Sequence, residues 1–347
     1  MRVAVVGAGI MGAATAWQLA RRGADVVVHE QFEPDHARGS SHGRSRIVRL
    51  AYPEPEWVRF AAEARDGWAE LEQESGTRLL ELHGLVEIAS RPEHTSAAGL
   101  AAEGIEHSFL SPDEAAALGV AVPEGWAALH EPSGGIGLAD AARHALLEGI
   151  DVRYGSQVDD LDALFSRSGA SRAGTSAPGR LRRAYAGADV VVVTAGSWIG
   201  RFFPDLPLKV TRETVAFFRQ ETVPPSIVEL DEQRAHAMFS LHDPVYGLKA
   251  GAHHAGIETD PDETAEPDPV LVARISAWVA ERLPNADPEP VLAETCLYTT
   301  TPDERFILER RGRVVIGSAC SGHGFKFAPA VGKRLADLAL GHRSVAV

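Results

Sequence analysis

The segment Gly7-Ala8-Gly9-Ile10-Met11-Gly12 constrains this chain more than any other feature. It matches G-x-G-x-x-G, and it falls between a short apolar run, residues 2–6, and a helical pattern over 13–22 that is closed by Gly23. A second apolar run at 25–30 completes a β-α-β unit, the context in which this pattern carries information. Glycines there permit a tight turn and a close approach of backbone to a pyrophosphate, which the free N–H groups of the helix start attract. Glu30 closes the second run, where a carboxylate accepts hydrogen bonds from ribose hydroxyls and repels a 2′-phosphate. The expected ligand is a dinucleotide other than NADP. The motif does not separate FAD from NAD.

At 347 residues with 45% hydrophobic content, the chain is long enough for two domains with substantial cores. A formal charge of −14 with interspersed signs argues against nucleic acid, which needs a basic face. No run approaches membrane-spanning length and no signal-peptide pattern precedes the glycine motif, so neither a membrane nor export is expected. The two cysteines, Cys296 and Cys320, make no disulfide framework and fit a reducing cytoplasm. The fourteen histidines include the pair His253-His254, but no carboxylate or cysteine stands at metal-ligand spacing from them. No metal is expected.

Residues 56–71 place Trp57, Phe60, Ala61, Ala64, Trp68 and Leu71 at helical spacing, which marks them as core. Residues 166–183 are polar and Gly/Ser-rich and predict a mobile surface loop. The apolar run at 188–196 then reads as a central parallel strand returning to the first sheet. From about 201 to 294 the pattern is Pro-broken, alternates at 213–218 and becomes helical near 270–283, as in a second, mixed β domain. The end is a glycine-rich loop, Ser321-Gly322-His323-Gly324-Phe325-Lys326, leading into a helix over about 329–340. Along an expected strand, Cys296, Tyr298 and Thr300 share one face, and the same period puts Lys249 and His253 together.

Four segments together resemble the family of monomeric sarcosine oxidase and N-methyltryptophan oxidase, within the D-amino-acid-oxidase-like flavoproteins. They are Ser41-His42-Gly43-Arg44-Ser45-Arg46-Ile47-Val48-Arg49, Tyr246-Gly247-Leu248-Lys249-Ala250-Gly251-Ala252-His253, Glu294-Thr295-Cys296-Leu297-Tyr298-Thr299 and Ser321-Gly322-His323-Gly324-Phe325-Lys326-Phe327. The likeness runs in order through nearly the whole chain. It implies an α/β, or α+β two-domain, fold: a Rossmann-like FAD-binding domain with an interleaved mixed β-sheet substrate domain. The expected division gives 1–82, 132–200 and 303–347 to FAD and 83–131 and 201–302 to the substrate.

The resemblance implies FAD bound covalently through Cys296. At the glycine turn the implied contacts are Gly7, Gly9, Ile10, Met11, Gly12 and Glu30. Along the rest of the flavin they are Ser41, His42, Arg46, Val158, Gly196 and Trp198, and in the last loop Gly322, His323, Gly324, Phe325 and Lys326. His42 either braces its turn or assists attachment. The implied catalytic group comprises Arg49 and Lys326 on a substrate carboxylate, Lys249 at the oxygen step, and His253 and Tyr298. Cys320 is read as a buried hydrophobe. The implied reaction oxidises the carbon–nitrogen bond of a small N-methyl amino acid to an imine, with oxygen reduced to hydrogen peroxide by a monomeric protein. The region 238–249 is shorter than in the family, with Phe239 near the place of a tyrosine pair. Sarcosine itself is therefore not assumed, and a cyclic imino acid, or an electron acceptor other than oxygen, are the alternatives.

Overall fold

The computed structural model describes residues 1–166, 187–231 and 235–342. The polar stretch at 166–183 lies, apart from Ser166, outside them.

Among the described residues a six-stranded sheet runs, in order, Ile307–Arg311, Val314–Ser318, Val190–Val193, Arg2–Val6, Asp25–His29 and Asp151–Arg153. All neighbours are parallel except the first pair. The central strands Arg2–Val6 and Val190–Val193 are nearly continuous valine because both faces are buried: Val3, Val5, Val190 and Val192 in one core, and Ala4, Val6, Val191 and Val193 in another. Val3 pairs with Val190 and Val6 with Val193, so the run at 188–196 does return to the first sheet. Helices Ile10–Arg21, Pro55–Ser75 and Ala328–Leu340 pack together over one face, with Trp57, Phe60, Trp68 and Phe327 in the core.

A nine-stranded, largely antiparallel sheet is built from residues 85–131 and 209–300. The alternation at 213–218 predicts a half-buried strand, whereas Lys209–Gln220 is buried on both faces there. Ala216 and Phe218, together with Leu248 and Ala250, share a core with Trp278 and Val279 of helix Pro269–Arg282. Val215 on the opposite face lines the cavity between the sheets, with Phe217 beneath Lys249 there. A small three-stranded sheet, Ser45–Val48, Gly135–Leu138 and Leu80–Glu81, lies between the two larger ones in the chain path. No helix among the described residues is long and apolar enough to cross a membrane.

Candidate active site

The two larger sheets border a cavity of about 420 Å³. It starts at the glycine turn. Gly7 has φ +100°, and a Cβ there would lie 2.5 Å from the Thr194 carbonyl oxygen. Gly9 caps helix Ile10–Arg21, whose first amide, Ile10 N–H, donates to Ser41 Oγ at 3.0 Å. Gly12 is not on the cavity wall. A Cβ on it would meet the Gly7 carbonyl at 1.9 Å, so its part is to let helix and strand close together. The Glu30 carboxylate accepts from Ala8 N–H at 2.8 Å and Phe32 N–H at 3.0 Å, which fixes it at the edge of the turn. Val158, Gly196 and Trp198 continue the wall, followed by Ser41, His42 and Arg46.

Every other residue singled out as a ligand or catalyst also lies on this wall, from Met11 to Lys326. Thr300, expected to share a face with Cys296 and Tyr298, does not reach it.

Strand Gly247–Ala252 carries Lys249 into the cavity because Leu248 and Ala250 are committed to the helix beneath. Lys249 Nζ stands 5.7 Å from the Phe217 ring and has no hydrogen-bond partner among the described residues. Burial, reinforced by Arg46, lowers its pKa to about 7. Cys296 lines the same region, on strand Ala286–Thr300. Lys249 and Arg46 do favour its thiolate, yet burial is the larger influence and pushes the thiol up, so neighbouring cations alone do not ionise it. Arg46 itself is held by the carbonyls of Ser45 at 2.8 Å and Ser40 at 2.9 Å. Cys320 is only half-buried and faces the cavity, with Sγ 3.8 Å from Ser40 Oγ, instead of sitting in the core.

At the far end two basic side chains, Arg49 and Lys326, converge around Tyr52. The Arg49 guanidinium lies 4.5 Å from the Tyr52 ring centre. Lys326 Nζ donates to Tyr52 Oη at 3.0 Å and to the His323 carbonyl at 2.8 Å. Trp68 Nε1 in turn donates to the Lys326 carbonyl at 2.9 Å and fixes the loop. Burial, reinforced by Arg49, drives Lys326 well below the ordinary lysine range. Gly322, at φ +73°, leaves room for two side chains, since a Cβ would lie 2.5 Å from both His253 and Tyr298. Burial lowers His253 well below 6.5 and brings His323 to about 3, so both rings are neutral.

Sequence reasoning missed the supports of this end. Glu87 and Glu131 are fully buried. Glu87 pairs with Arg49, while Glu131 accepts from Leu50 N–H at 2.9 Å and from Arg65 at 3.3 Å. Burial pushes Glu87 upward, and Arg49 with the Ser96 N–H opposes it. Glu304 was missed as well. It stands 3.5 Å from His254 and supplies the carboxylate that the histidine pair lacks locally. The only sequence signal was charge at strand positions that should be apolar, Glu87 within Leu85–Ala89 and Glu131 closing Ala127–Glu131.

A glycine cradle that side chains would fill, a carboxylate at its edge and an orphaned buried His42 Nε2 further along suit a dinucleotide with an extended ring system. The sequence model described as FAD dependent oxidoreductase matches residues 2–338. The peroxisomal sarcosine oxidase of Homo sapiens is 35% identical, the match covering 97% of this chain and 91% of that one. Monomeric sarcosine oxidase of Bacillus sp. (strain B-0618) is 32% identical over 97% and 92%. In fold, the chain is similar to the open form of NikD, an unusual amino acid oxidase, with TM-score 0.82 and 24% identity over 99% and 95% of the two chains.

Proposed function

The chain belongs to the FAD dependent oxidoreductase family, and on that premise we propose that it oxidises the carbon–nitrogen bond of a small amino acid bearing a secondary amine. The product is an imine, and oxygen is reduced to hydrogen peroxide. FAD, when bound, supplies the two-electron acceptor. The reading is supported most by one observation: the buried basic side chains of Arg49 and Lys326 converge on the same cavity that begins at the glycine turn.

In this reading Gly7 and Gly9 with the helix start take the pyrophosphate and Glu30 the ribose. Cys296 is the attachment point, and His42 and Arg46 border the ring system. Arg49 and Lys326 grip the substrate carboxylate through charge-assisted hydrogen bonds, which restores charge that burial takes from Lys326. His253 and Tyr298 wall the amine side. Burial and the nearby Arg49, which keep the His253 ring neutral, equally oppose a charged ammonium there, so the amine enters uncharged. Lys249 offers a preorganised positive charge where oxygen is reduced. Residues 1–82, 132–200 and 303–347 hold the cofactor in this assignment, and 83–131 and 201–302 cover it. The protein acts as a monomer, as the name of the Bacillus relative supports.

Peroxide release across a panel of N-methyl and cyclic amino acids tests this. Release with N-methyl substrates at or above the rate with cyclic ones is expected. Phe239, Met238 and Leu241 make an apolar stretch of wall that favours a ring-bearing substrate as the second reading; turnover confined to cyclic imino acids would select it. Turnover with an artificial acceptor but without peroxide would replace both by a dehydrogenase.

A further inference from the structure

His253 and His254 follow strand Gly247–Ala252 of the nine-stranded sheet, and Glu304 precedes strand Ile307–Arg311 of the six-stranded one. One imidazole nitrogen from each histidine and one Glu304 oxygen all lie within 4.8 Å of one another. Successive side chains of an extended strand point to opposite faces. Here His254 has φ +55°, a left-handed turn that brings the neighbouring rings to 4.1 Å between centres. Glu304 has φ +59°, and its carbonyl accepts from His323 Nε2 at 3.1 Å. His254 Nε2 is buried without a hydrogen bond and stands 3.5 Å from Glu304 Oε1. Two ligands held tetrahedrally at about 2.0–2.1 Å from zinc are roughly 3.4 Å apart. That edge is already near binding length.

We propose that His253, His254 and Glu304 form a binding site for a divalent transition metal of the zinc type, with water completing the coordination. Two imidazoles and one carboxylate suit such an ion and not magnesium or calcium, which take oxygen shells. The site bridges the two sheets. One of its ligands, His253, is also on the wall of the cavity, with its ring 5.5 Å from that of Tyr298. Bound metal immobilises that ring and adds positive charge beside Arg49 and Lys326, so it slows turnover. This consequence rests on the amine-oxidase reading, whereas binding itself does not.

Tag-free holoprotein is titrated with cobalt(II), followed by its visible d–d absorption, and then with competing zinc(II). One saturable cobalt per chain is expected, weakened at least about tenfold in both His254→Ala and Glu304→Gln, with flavin content and melting temperature kept. No saturable signal, or a signal undiminished in either variant, overturns the site. In the peroxide assay zinc should inhibit the parent protein reversibly with EDTA and spare Glu304→Gln; intact cobalt binding without inhibition overturns the effect on turnover alone.

Discussion

Arg49 Nη1 stands 2.6 Å from Glu87 Oε1, and Glu87 has no solvent-accessible surface. Arg49 follows strand Ser45–Val48 of the small sheet, and Glu87 lies in Leu85–Ala89 of the nine-stranded one, so the pair ties the cavity's far end to both. Ser96 N–H and Oγ bind the same carboxylate at 2.8 and 3.0 Å.

Glu87→Gln keeps the shape but removes the carboxylate paired directly with a buried guanidinium, leaving only the more distant Glu131, a loss on the order of 3 kcal/mol. An added small carboxylic acid supplies the missing charge. Its stabilising shift in a thermal melt should therefore be larger for the variant than for the parent protein. Equal shifts would show that the cavity's anion site does not include Arg49.

In the proposed carboxylate clamp, Lys326→Met removes one of two donors, each worth about 1.5–3 kcal/mol. KM for the amino acid should rise roughly 10- to 150-fold, while a decarboxylated amine analogue is little affected. Steady-state kinetics on the two substrates decides it, and parallel losses on both would count against the clamp.

Covalent flavin through Cys296 predicts that acid precipitation leaves the yellow colour in the pellet. Cys296→Ala should release all of it to the supernatant, and Cys320→Ala should retain it, although both thiols face the cavity. Because burial opposes the Cys296 thiolate and Lys249 favours it, attachment in flavin-free protein should quicken as pH rises. Complete release from the parent protein removes the linkage and leaves the redox proposal standing.

The glycine-turn end of the cavity was legible because a β-α-β unit is local: glycine spacing, the valine strand and Glu30 fall within the first thirty residues. Period two along a strand likewise placed Lys249 and His253 on one wall, since Leu248 and Ala250 claim the other side. What escaped depends on pairing between distant segments. Glu87 meets Arg49 only through sheet register, and Glu304 lies fifty residues beyond His254 and reaches it through two left-handed turns that no apolar period announces. Gly12, marked by the same motif, has no room for a Cβ beside the Gly7 carbonyl, a packing contact between distant atoms of the turn that the spacing alone does not show.

Lys249 carries the remaining prediction, on the oxygen step. Its folded pKa of about 7 lies below the ordinary 10.5 because burial, with Arg46, outweighs Cys296, Glu294 and Asp243. Between those values the unfolded chain binds more protons than the folded one, so this residue's penalty is complete below about pH 7 and relieved as pH rises toward 10.5. Lys249→Met escapes that penalty. Its melting temperature should exceed the parent's most below pH 7, with the gap closing in alkali. In stopped flow the variant should keep anaerobic reduction by substrate within about tenfold, roughly 1.4 kcal/mol of barrier, and lose more than that in reoxidation by oxygen. The parent's oxygen rate should fall as pH climbs through the lysine's titration, because only the ammonium form stabilises the anion made from oxygen. The variant's rate should be flat over the same range. An oxygen rate untouched by the substitution would take Lys249 out of the mechanism and favour a different electron acceptor.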